Sequence, residues 1–175
     1  MSVVPESFSI SPGRATPIHT PSHPILVRPR GLITYKDPVV EEPEDPAPKP
    51  SRWKGQSACQ QTLESIYHVP FRSIHPDWLR GERDRNLELD CYAVVECRGR
   101  TIEVACEYNG AQHYVYPNVW HKTREEYDIQ QWNDGFKRRQ CEERGVYLVI
   151  IPYTIPIHRI PETIRQCLDE LGILP

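Results

Sequence analysis

Apolar residues recur at helical spacing in two segments of the chain. The first stripe follows the pattern i, i+4, i+7, i+8 and consists of Cys59, Leu63, Ile66 and Tyr67. The second lies near the end of the sequence and consists of Ile164, Cys167, Leu168 and Leu171. Because residues at this spacing share one side of a helix, each stripe predicts an amphipathic helix that packs against a core.

Three further segments have the patterns of β-strands. LELDCYAVVE and TIEVACEY flank CRGR, whose Gly99 suits a turn, and VYLVIIP is a continuous apolar run typical of a strand covered on both faces. Residues from about Lys122 to Arg144 predict a long charged helix that ends at Gly145. The predicted order is helix, strand, strand, helix, strand, helix. This order indicates an α/β fold with a small mixed sheet flanked by helices.

Proline divides the chain into two parts. Residues 1–50 contain 11 of the 18 prolines and show no sustained helical or strand periodicity. We therefore predict a disordered Pro-rich arm over residues 1–50 and one folded domain over residues 51–175. The arm is expected either to tether the domain or to lie in extended form along a protein partner.

Charge and cysteine content limit the function and the compartment. The net charge of −3 argues against a strongly basic nucleic-acid-binding surface, so any phosphate contacts must be local. The six cysteines form no CxxC pair, which predicts small buried side chains in a reducing, intracellular compartment rather than zinc ligands. The sequence contains no apolar run near 18 residues, so we predict no membrane-spanning segment. The sequence is compatible with either a nuclear or a cytoplasmic location. It is also compatible with either a monomer or a homodimer.

The hairpin places two acids opposite each other. If Arg98 and Gly99 form a two-residue turn, Cys97 faces Arg100, and counting outward pairs Asp90 with Glu107. The same alternation divides the hairpin side chains between two faces of the sheet. One face is expected to carry Glu88, Asp90, Tyr92, Ala105, Glu107 and Asn109, and the other Leu89, Cys91, Ala93, Val95, Val104 and Cys106.

Two directly opposed carboxylates destabilise a sheet by up to about 1 kcal/mol unless a cation lies between them. A solvated sheet face, or a bulge at Gly99 that shifts the register, would remove the need for that cation. If the pair does bind a metal, oxygen ligands favour Mg²⁺ or Mn²⁺ over zinc. Such ions polarise phosphodiesters and activate bound water, so the pair indicates phosphate chemistry.

The same region contains a set of motifs in a characteristic order. The most informative is the string Glu107-Tyr108-Asn109-Gly110-Ala111-Gln112-His113-Tyr114. The others are Glu64, Pro76-Asp77-Trp78-Leu79, Leu87-Glu88-Leu89-Asp90, Asp134-Gly135-Phe136-Lys137, Cys141, Gly145 and Ile150-Ile151-Pro152-Tyr153. Together these motifs resemble the PD-(D/E)XK restriction-endonuclease-like superfamily, in particular its virus-encoded and very-short-patch-repair-like nucleases. The resemblance covers roughly residues 57–153.

The resemblance implies a metal site and a catalytic cation. Asp90 and Glu107 correspond to the metal-binding acids, and Glu64 corresponds to an acid that joins them from the first helix. The position that normally carries Lys is Asn109 here, and an amide can orient water but supplies no charge. Lys137 is the expected substitute, because some members of the superfamily carry this lysine on a helix. Asp134, three residues earlier on the same helix face, is expected to position it.

The remaining expected site residues lie at the strand end and on the surface. Gln112 and His113 are expected to reach phosphate or the attacking water, although His113 could equally be a packing residue. The candidate backbone-phosphate contacts are Arg72, Arg80, Arg83, Arg85, Lys122, Arg124, Arg138 and Arg139.

The sequence therefore predicts a Mg²⁺-dependent (or Mn²⁺-dependent) DNA endonuclease or repair nuclease of viral type. The alternative is a catalytically inactive protein of the same fold that acts as a binding or scaffold module in a nucleoprotein or viral assembly. Asn109 and the absence of net basic charge favour the alternative, whereas the intact acid pair favours the enzyme.

Overall fold

The computed structural model describes residues 22–30 and 54–175. Over these residues the protein is a mixed α/β structure with one five-stranded sheet in the order β1-β5-β4-β3-β2. Strands β4 and β5 are parallel, and the other neighbouring pairs are antiparallel. The elements are β1 (Ile25–Val27), α1 (Lys54–Tyr67), β2 (Arg72–Ile74), β3 (Leu89–Cys97), β4 (Arg100–Asn109), α2 (Arg124–Arg144), β5 (Val146–Pro152) and α3 (Ile160–Leu171).

The six predicted elements are confirmed in type and order, and two short strands are added to them. β2 extends the sheet beyond β3 by only three residues, so its period-two pattern is too short to recognise in the sequence. β1 adds to the opposite edge. No helix within the described ranges is both long enough and apolar enough to cross a membrane.

The β3–β4 hairpin has the predicted register. Cys97 pairs with Arg100, and the pairing continues outward to Cys91 and Cys106. Arg98 and Gly99 both have positive φ, 52° and 73°, which is the conformation of the two-residue turn that matches strand twist. The turn therefore fixes which residues of the two strands face each other.

Leu89 is an exception to the predicted division of the hairpin faces. It packs in the cluster that contains Ala105 and Tyr92, whereas it was expected on the face of Cys91. The reason is a register shift in the pairing with β2, where Arg72 faces Tyr92 but Ile74 faces Leu89. β3 thus has one extra residue at this point, and a bulge of this kind changes the side-chain alternation.

Helices cover both faces of the sheet. α1 and α3 pack on the face that carries Val149 and Ile151, and α2 packs on the face that carries Leu148 and Ile150. β5 is therefore buried on both sides, as its continuous apolar sequence predicted. All six cysteines are free and buried, which confirms their prediction as small core residues.

Local sequence signals define both ends of α2. Thr123 accepts a hydrogen bond from the backbone N–H of Glu126, and the Glu126 carboxylate accepts one from the backbone N–H of Thr123. This reciprocal capping satisfies backbone donors that the first helical turn leaves unpaired. At the other end Gly145 takes a left-handed conformation with φ 89°, as its position after Arg144 predicted.

The predicted N-terminal arm contains part of the sheet. Ile25–Val27 pairs with β5, and the Arg30 side chain forms a 2.7 Å ion pair with Glu142 of α2. The predicted boundary near Ser51 therefore excludes a strand that packs with the domain. The reason is that three apolar residues suffice to cover an edge strand, although the surrounding prolines obscure their pattern. The rest of the predicted arm lies outside the described residues.

Substitution of Gly55 by alanine should destabilise the protein by about 1–3 kcal/mol. A β-carbon at this position of α1 would lie 2.4–2.5 Å from the ring of Tyr108, so the helix or the ring would have to move from its packed position. Gly135 in α2 is a matched control, because its added β-carbon would meet only the Arg139 guanidinium at 3.5 Å and the Arg138 guanidinium at 4.0 Å. Urea denaturation should show a loss for Gly55→Ala and no loss for Gly135→Ala, and equal effects would contradict this packing.

Candidate functional site

The two predicted acids meet where β3 and β4 run side by side beneath α2. The backbone N–H of Asp90 donates to Glu107 Oε1, and the backbone N–H of Tyr108 donates to Asp90 Oδ2, each at 3.3 Å. Each carboxylate thus accepts a hydrogen bond from the strand that carries the other. The hairpin register, and with it the turn at Arg98 and Gly99, holds the two acids together.

Lys137 reaches this acid pair from α2. Its Nζ atom lies 2.6 Å from Glu107 Oε2, and the two side chains are 13% and 6% exposed. Cys141, one turn later, is fully buried in the cluster beneath α2 and keeps this side of the helix against the sheet. The expected substitute for the lysine missing at Asn109 therefore lies in contact with the acid that the resemblance assigns to metal binding.

The surroundings of Asp90 disfavour its negative charge. Burial, together with the neighbouring charge of Glu107, raises the pKa of Asp90 to about 7, although Lys137 acts in the opposite direction. For Lys137, burial alone would lower the pKa, but the charges of Glu107, Asp90 and Asp134 outweigh it and raise the pKa. The cluster thus contains one lysine and two carboxyl groups, so full ionisation leaves a net negative charge.

His113 and Asp134 form a second pair beside the acids. A short 3₁₀ turn over Ala111–His113 follows β4, and His113 Nδ1 lies 2.8 Å from Asp134 Oδ2. The Gln130 amide donates to the other oxygen of Asp134 at 2.8 Å. Because an ionised carboxylate only accepts hydrogen bonds, His113 donates through Nδ1, which leaves Nε2 as the acceptor in the neutral ring. Asp134 therefore holds His113 and does not bond to Lys137, contrary to the expected positioning role.

Asn109 and Gln112 lie at the carboxyl end of β4. Asn109 is 6% exposed, and its backbone oxygen accepts from Tyr153 N–H at 2.8 Å. The buried Tyr114 hydroxyl lies beside the Asn109 side chain but lacks a well-aligned hydrogen bond there. Gln112 folds back over Gly110, where a β-carbon would meet its Oε1 atom at 2.3 Å. Both amides thus stand at the end of the strand that carries Glu107.

Glu64 does not join the acid pair. Its Oε1 atom accepts hydrogen bonds from Phe71 N–H at 3.0 Å and from the Gln60 amide at 3.1 Å, so it stabilises the connection that leaves α1. Across the described ranges, no three His, Cys, Asp or Glu side chains assemble into a group that could hold a metal ion. At this place the structure brings together two carboxyl groups, those of Asp90 and Glu107.

The predicted phosphate contacts do not form one patch around the site. Arg72 is exposed on β2, and Arg80 forms an ion pair with Asp84 at 3.2 Å. Lys122 is exposed just before α2. Arg138 and Arg139 follow Lys137 on α2 and line a groove of about 570 Å³ that separates this helix from β1. The last two therefore lie on the same helix as Lys137 and directly follow it in sequence.

Sequence reasoning missed two side chains that surround the site. Gln130 precedes Asp134 by one helical turn, which is a spacing that allows the observed contact, but an amide at that position is common on solvated helices. Tyr114 belongs to the motif string but is not predicted as a site residue, although burial raises the pKa of its hydroxyl to about 12. A tyrosine directly after the candidate His113 is the signal that could have identified it.

The contribution of Asp90 to the stability of the metal-free protein should fall as the pH rises from 3.8 to about 7. The folded protein retains the proton on Asp90 over this range, whereas the unfolded chain loses it, so the folded state becomes relatively less stable. The Asp90→Asn variant should lose this part of the pH dependence and be more stable than wild type at pH 8, by about 2–4 kcal/mol. Exposed Asp128, which pairs with Arg124, is the control, and urea denaturation at several pH values is the measurement. An unchanged slope in Asp90→Asn would contradict the buried, charge-crowded setting of this carboxyl.

Comparison with known proteins gives viral relatives. The chain is 37% identical over 122 residues to uncharacterized protein 033L of Invertebrate iridescent virus 3, covering 69% of this chain and 60% of that protein. It is 32% identical to uncharacterized protein 307L of Invertebrate iridescent virus 6 over 69% of this chain and 66% of that protein. It is also 36% identical to uncharacterized protein 094L of Frog virus 3 (isolate Goorha) over 61% of this chain and 66% of that protein.

The chain spans 60–66% of the length of these three relatives. No protein-family model matches the sequence, and no solved structure matches it. The chain is therefore similar to proteins of invertebrate and frog viruses whose names specify no activity.

Proposed function

We propose that this protein is a divalent-metal-dependent nuclease that hydrolyses phosphodiesters in DNA. The observation that carries the proposal is the contact between Lys137 Nζ and Glu107 Oε2, at 2.6 Å, within the cross-strand acid pair. A buried cluster of two acids and one lysine combines potential metal ligands with a fixed positive charge. The resemblance to PD-(D/E)XK nucleases implies the same side chains, namely two metal-binding acids and a lysine.

The donor set suits a hard cation. Asp90 and Glu107 offer carboxylate oxygens, which Mg²⁺ and Mn²⁺ prefer, and one or two carboxylates suffice for an ion that keeps several waters. The two acids stand on opposed strands of one hairpin, so both are positioned before any ligand binds. Such an ion, when bound, would polarise the phosphodiester and make a bound water more acidic.

Lys137 would supply the positive charge that a lysine at position 109 normally provides and that Asn109 lacks. Its ammonium is held by Glu107 and stays protonated, because the surrounding carboxyl groups raise its pKa. A buried cation at this place stabilises negative charge that develops on a phosphate in the transition state. Asn109, buried two residues after Glu107, can orient water or phosphate but cannot supply that charge.

His113 would act as a proton acceptor or a phosphate contact. Its Nδ1–H group donates to Asp134 Oδ2, so the ring is fixed and Nε2 is the atom left to accept a proton. The side chain is 17% exposed, which leaves the ring accessible at the edge of the site. Gln112, one residue earlier, lies at the same strand end and could bind the same phosphate or water.

The second candidate function is a binding or scaffold module that keeps this fold without cutting. Two observations favour it: Asn109 replaces the usual lysine, and the net charge of −3 gives no general attraction to DNA. The ion pair of Glu107 with Lys137 also satisfies that carboxylate without a metal. The predicted arm would then supply a docking segment for a protein partner.

A cleavage panel separates the two functions. The full chain is incubated with supercoiled, single-stranded and branched DNA in Mg²⁺ or Mn²⁺, and matched samples contain EDTA. The nuclease proposal expects products of at least one substrate with metal and none with chelator. Intact substrates in every arm would reject the nuclease and favour the scaffold module.

A further inference from the structure

A cleft of about 360 Å³ lies over α2, between two loops. Gly81 to Leu87 form one wall, and Trp120 and His121 form the second. The floor is the side of α2 that carries Glu126, Ile129, Gln130 and Asn133. We call this space the Trp120 cleft. It is separate from the Asp90–Glu107 pair but shares Gln130 with the His113–Asp134 pair.

The first wall is a hydrogen-bonded turn. Gly81 N–H donates to Arg85 O at 2.9 Å, and Asp84 N–H donates to Gly81 O at 3.0 Å. The Asn133 side chain accepts from Glu82 N–H at 3.1 Å and so joins this turn to α2. A β-carbon on Gly81 would lie 2.7 Å from Asn133 Oδ1, which means that this close approach requires glycine. The cleft is therefore built by specific contacts rather than left between loose loops.

The second wall presents an exposed tryptophan. Asn118 Oδ1 accepts from the backbone N–H groups of Trp120 and His121, each at 2.8 Å, which fixes the turn that carries them. The His121 ring packs edge-on against Tyr127. The Trp120 side chain nevertheless remains 61% exposed beside the cleft. A large aromatic ring held in water on a fixed turn is the usual arrangement of a stacking surface.

The charges of the cleft balance. Arg83 and Arg85 are opposed by Glu82 and Glu126. Hydrogen bonds from Thr123 N–H and Lys122 N–H lower the pKa of Glu126 and so favour its ionised form. A cleft with no net charge is poorly suited to a phosphate group but suits a neutral, planar ligand with polar edges. Arg83 and Arg85 lie near the mouth on an exposed turn, where they can contact phosphates that remain outside.

We propose that the Trp120 cleft binds an unpaired nucleobase stacked on Trp120, so that the substrate carries a single-stranded nucleotide near the phosphate that is cut. This inference rests on the proposed nuclease function and specifies its substrate. Gln130 links the cleft to the His113–Asp134 pair, so a base in the cleft places its own backbone beside the candidate site. A paired base cannot enter, because its faces are already stacked in the duplex.

Binding without cleavage tests the cleft independently of the nuclease. Anisotropy of a labelled single-stranded oligonucleotide is titrated with the full chain in EDTA, and a blunt duplex of the same sequence is titrated in parallel. Because Trp120→Ala removes one base-stacking contact, we expect this variant to bind the single strand about 5- to 100-fold more weakly than wild type. Its affinity for the duplex should be unchanged. Trp120→Phe, which keeps a stacking ring, should restore most of that affinity. Trp132, which is 41% exposed but stacks on Phe136 outside the cleft, supplies the control Trp132→Ala, expected to bind like wild type.

Four results would overturn the inference. They are no binding of the single strand by wild type, unchanged single-strand binding in Trp120→Ala, an equal loss for single strand and duplex in Trp120→Ala, and an equal loss in Trp132→Ala. Binding through Trp120 by a protein that cuts no DNA would keep the cleft and reject the nuclease. Cleavage that does not change in Trp120→Ala, together with unchanged single-strand binding, would keep the nuclease and reject the cleft.

Discussion

Replacement of Asp90 by asparagine should reduce metal-dependent cleavage by at least about 10³-fold while the protein stays folded. Asparagine keeps the size of the side chain and removes the charge that would attract a cation, and metal ions contribute several kcal/mol to such reactions. The variant is well suited to this test because burial disfavours the charge of Asp90, so its loss does not cost stability. The measurement is the initial rate of cleavage of the best substrate from the panel in Mg²⁺ and in Mn²⁺.

Asp128 gives the matched control for this substitution. It lies on α2 with a side chain 57% exposed and paired with Arg124, away from the acid pair. Asp128→Asn should therefore cut at the rate of wild type. Cleavage by Asp90→Asn within tenfold of wild type would show that the carboxylate does not take part and would reject the assigned site.

Replacement of Lys137 by methionine should abolish cleavage and also destabilise the protein, by about 3–5 kcal/mol. The variant leaves Glu107, which is 6% exposed, without the ammonium that lies 2.6 Å from it. Breaking one side of a buried ion pair is costly because the remaining charge keeps its desolvation penalty. Urea denaturation at pH 8 measures the stability loss, and the cleavage assay measures the loss of activity.

A double variant separates the two roles of Lys137. In Lys137→Met/Glu107→Gln both charges are gone, so most of the lost stability should return while cleavage stays absent. Stability that does not recover would mean that packing of the lysine stem, rather than its charge, accounts for the single-variant effect. Lys137→Met with normal stability and normal cleavage would contradict both the buried ion pair and its role in the reaction.

The acid pair could be predicted from the sequence because a two-residue turn determines the register of the whole hairpin. Once Arg98 and Gly99 take positive φ, the pairing out to Cys91 and Cys106 follows by counting, and Glu107 comes to lie next to Asp90. The same counting failed at Leu89, since the bulge against β2 depends on a neighbouring strand of only three residues. Local chemistry therefore determines the pairing, whereas tertiary contacts determine the irregularity.

The contacts between elements were less predictable. Lys137 and Asp134 share a helix face in any helix of this sequence, but which of them meets Glu107 depends on how α2 packs on the sheet. In the structure Asp134 bonds to His113 instead, and Glu64 bonds to the backbone after α1. The strand pattern of residues 25–27 is obscured by the neighbouring prolines. Their role follows only from their pairing with the edge of β5, which the sequence does not indicate. Each of these outcomes depends on packing that no periodicity encodes.

We expect Asp90 and Glu107 together to hold one divalent cation, and a direct titration tests this without any nucleic acid. The full chain is titrated with Mn²⁺ at pH 8, where both acids can ionise, and bound metal is measured by calorimetry and by the electron paramagnetic resonance of free Mn²⁺. We predict one site in wild type, its loss in Asp90→Asn and in Glu107→Gln, and its retention in Glu64→Gln, because Glu64 bonds elsewhere. Absence of binding in wild type, or equal binding in all four proteins, would contradict the claim.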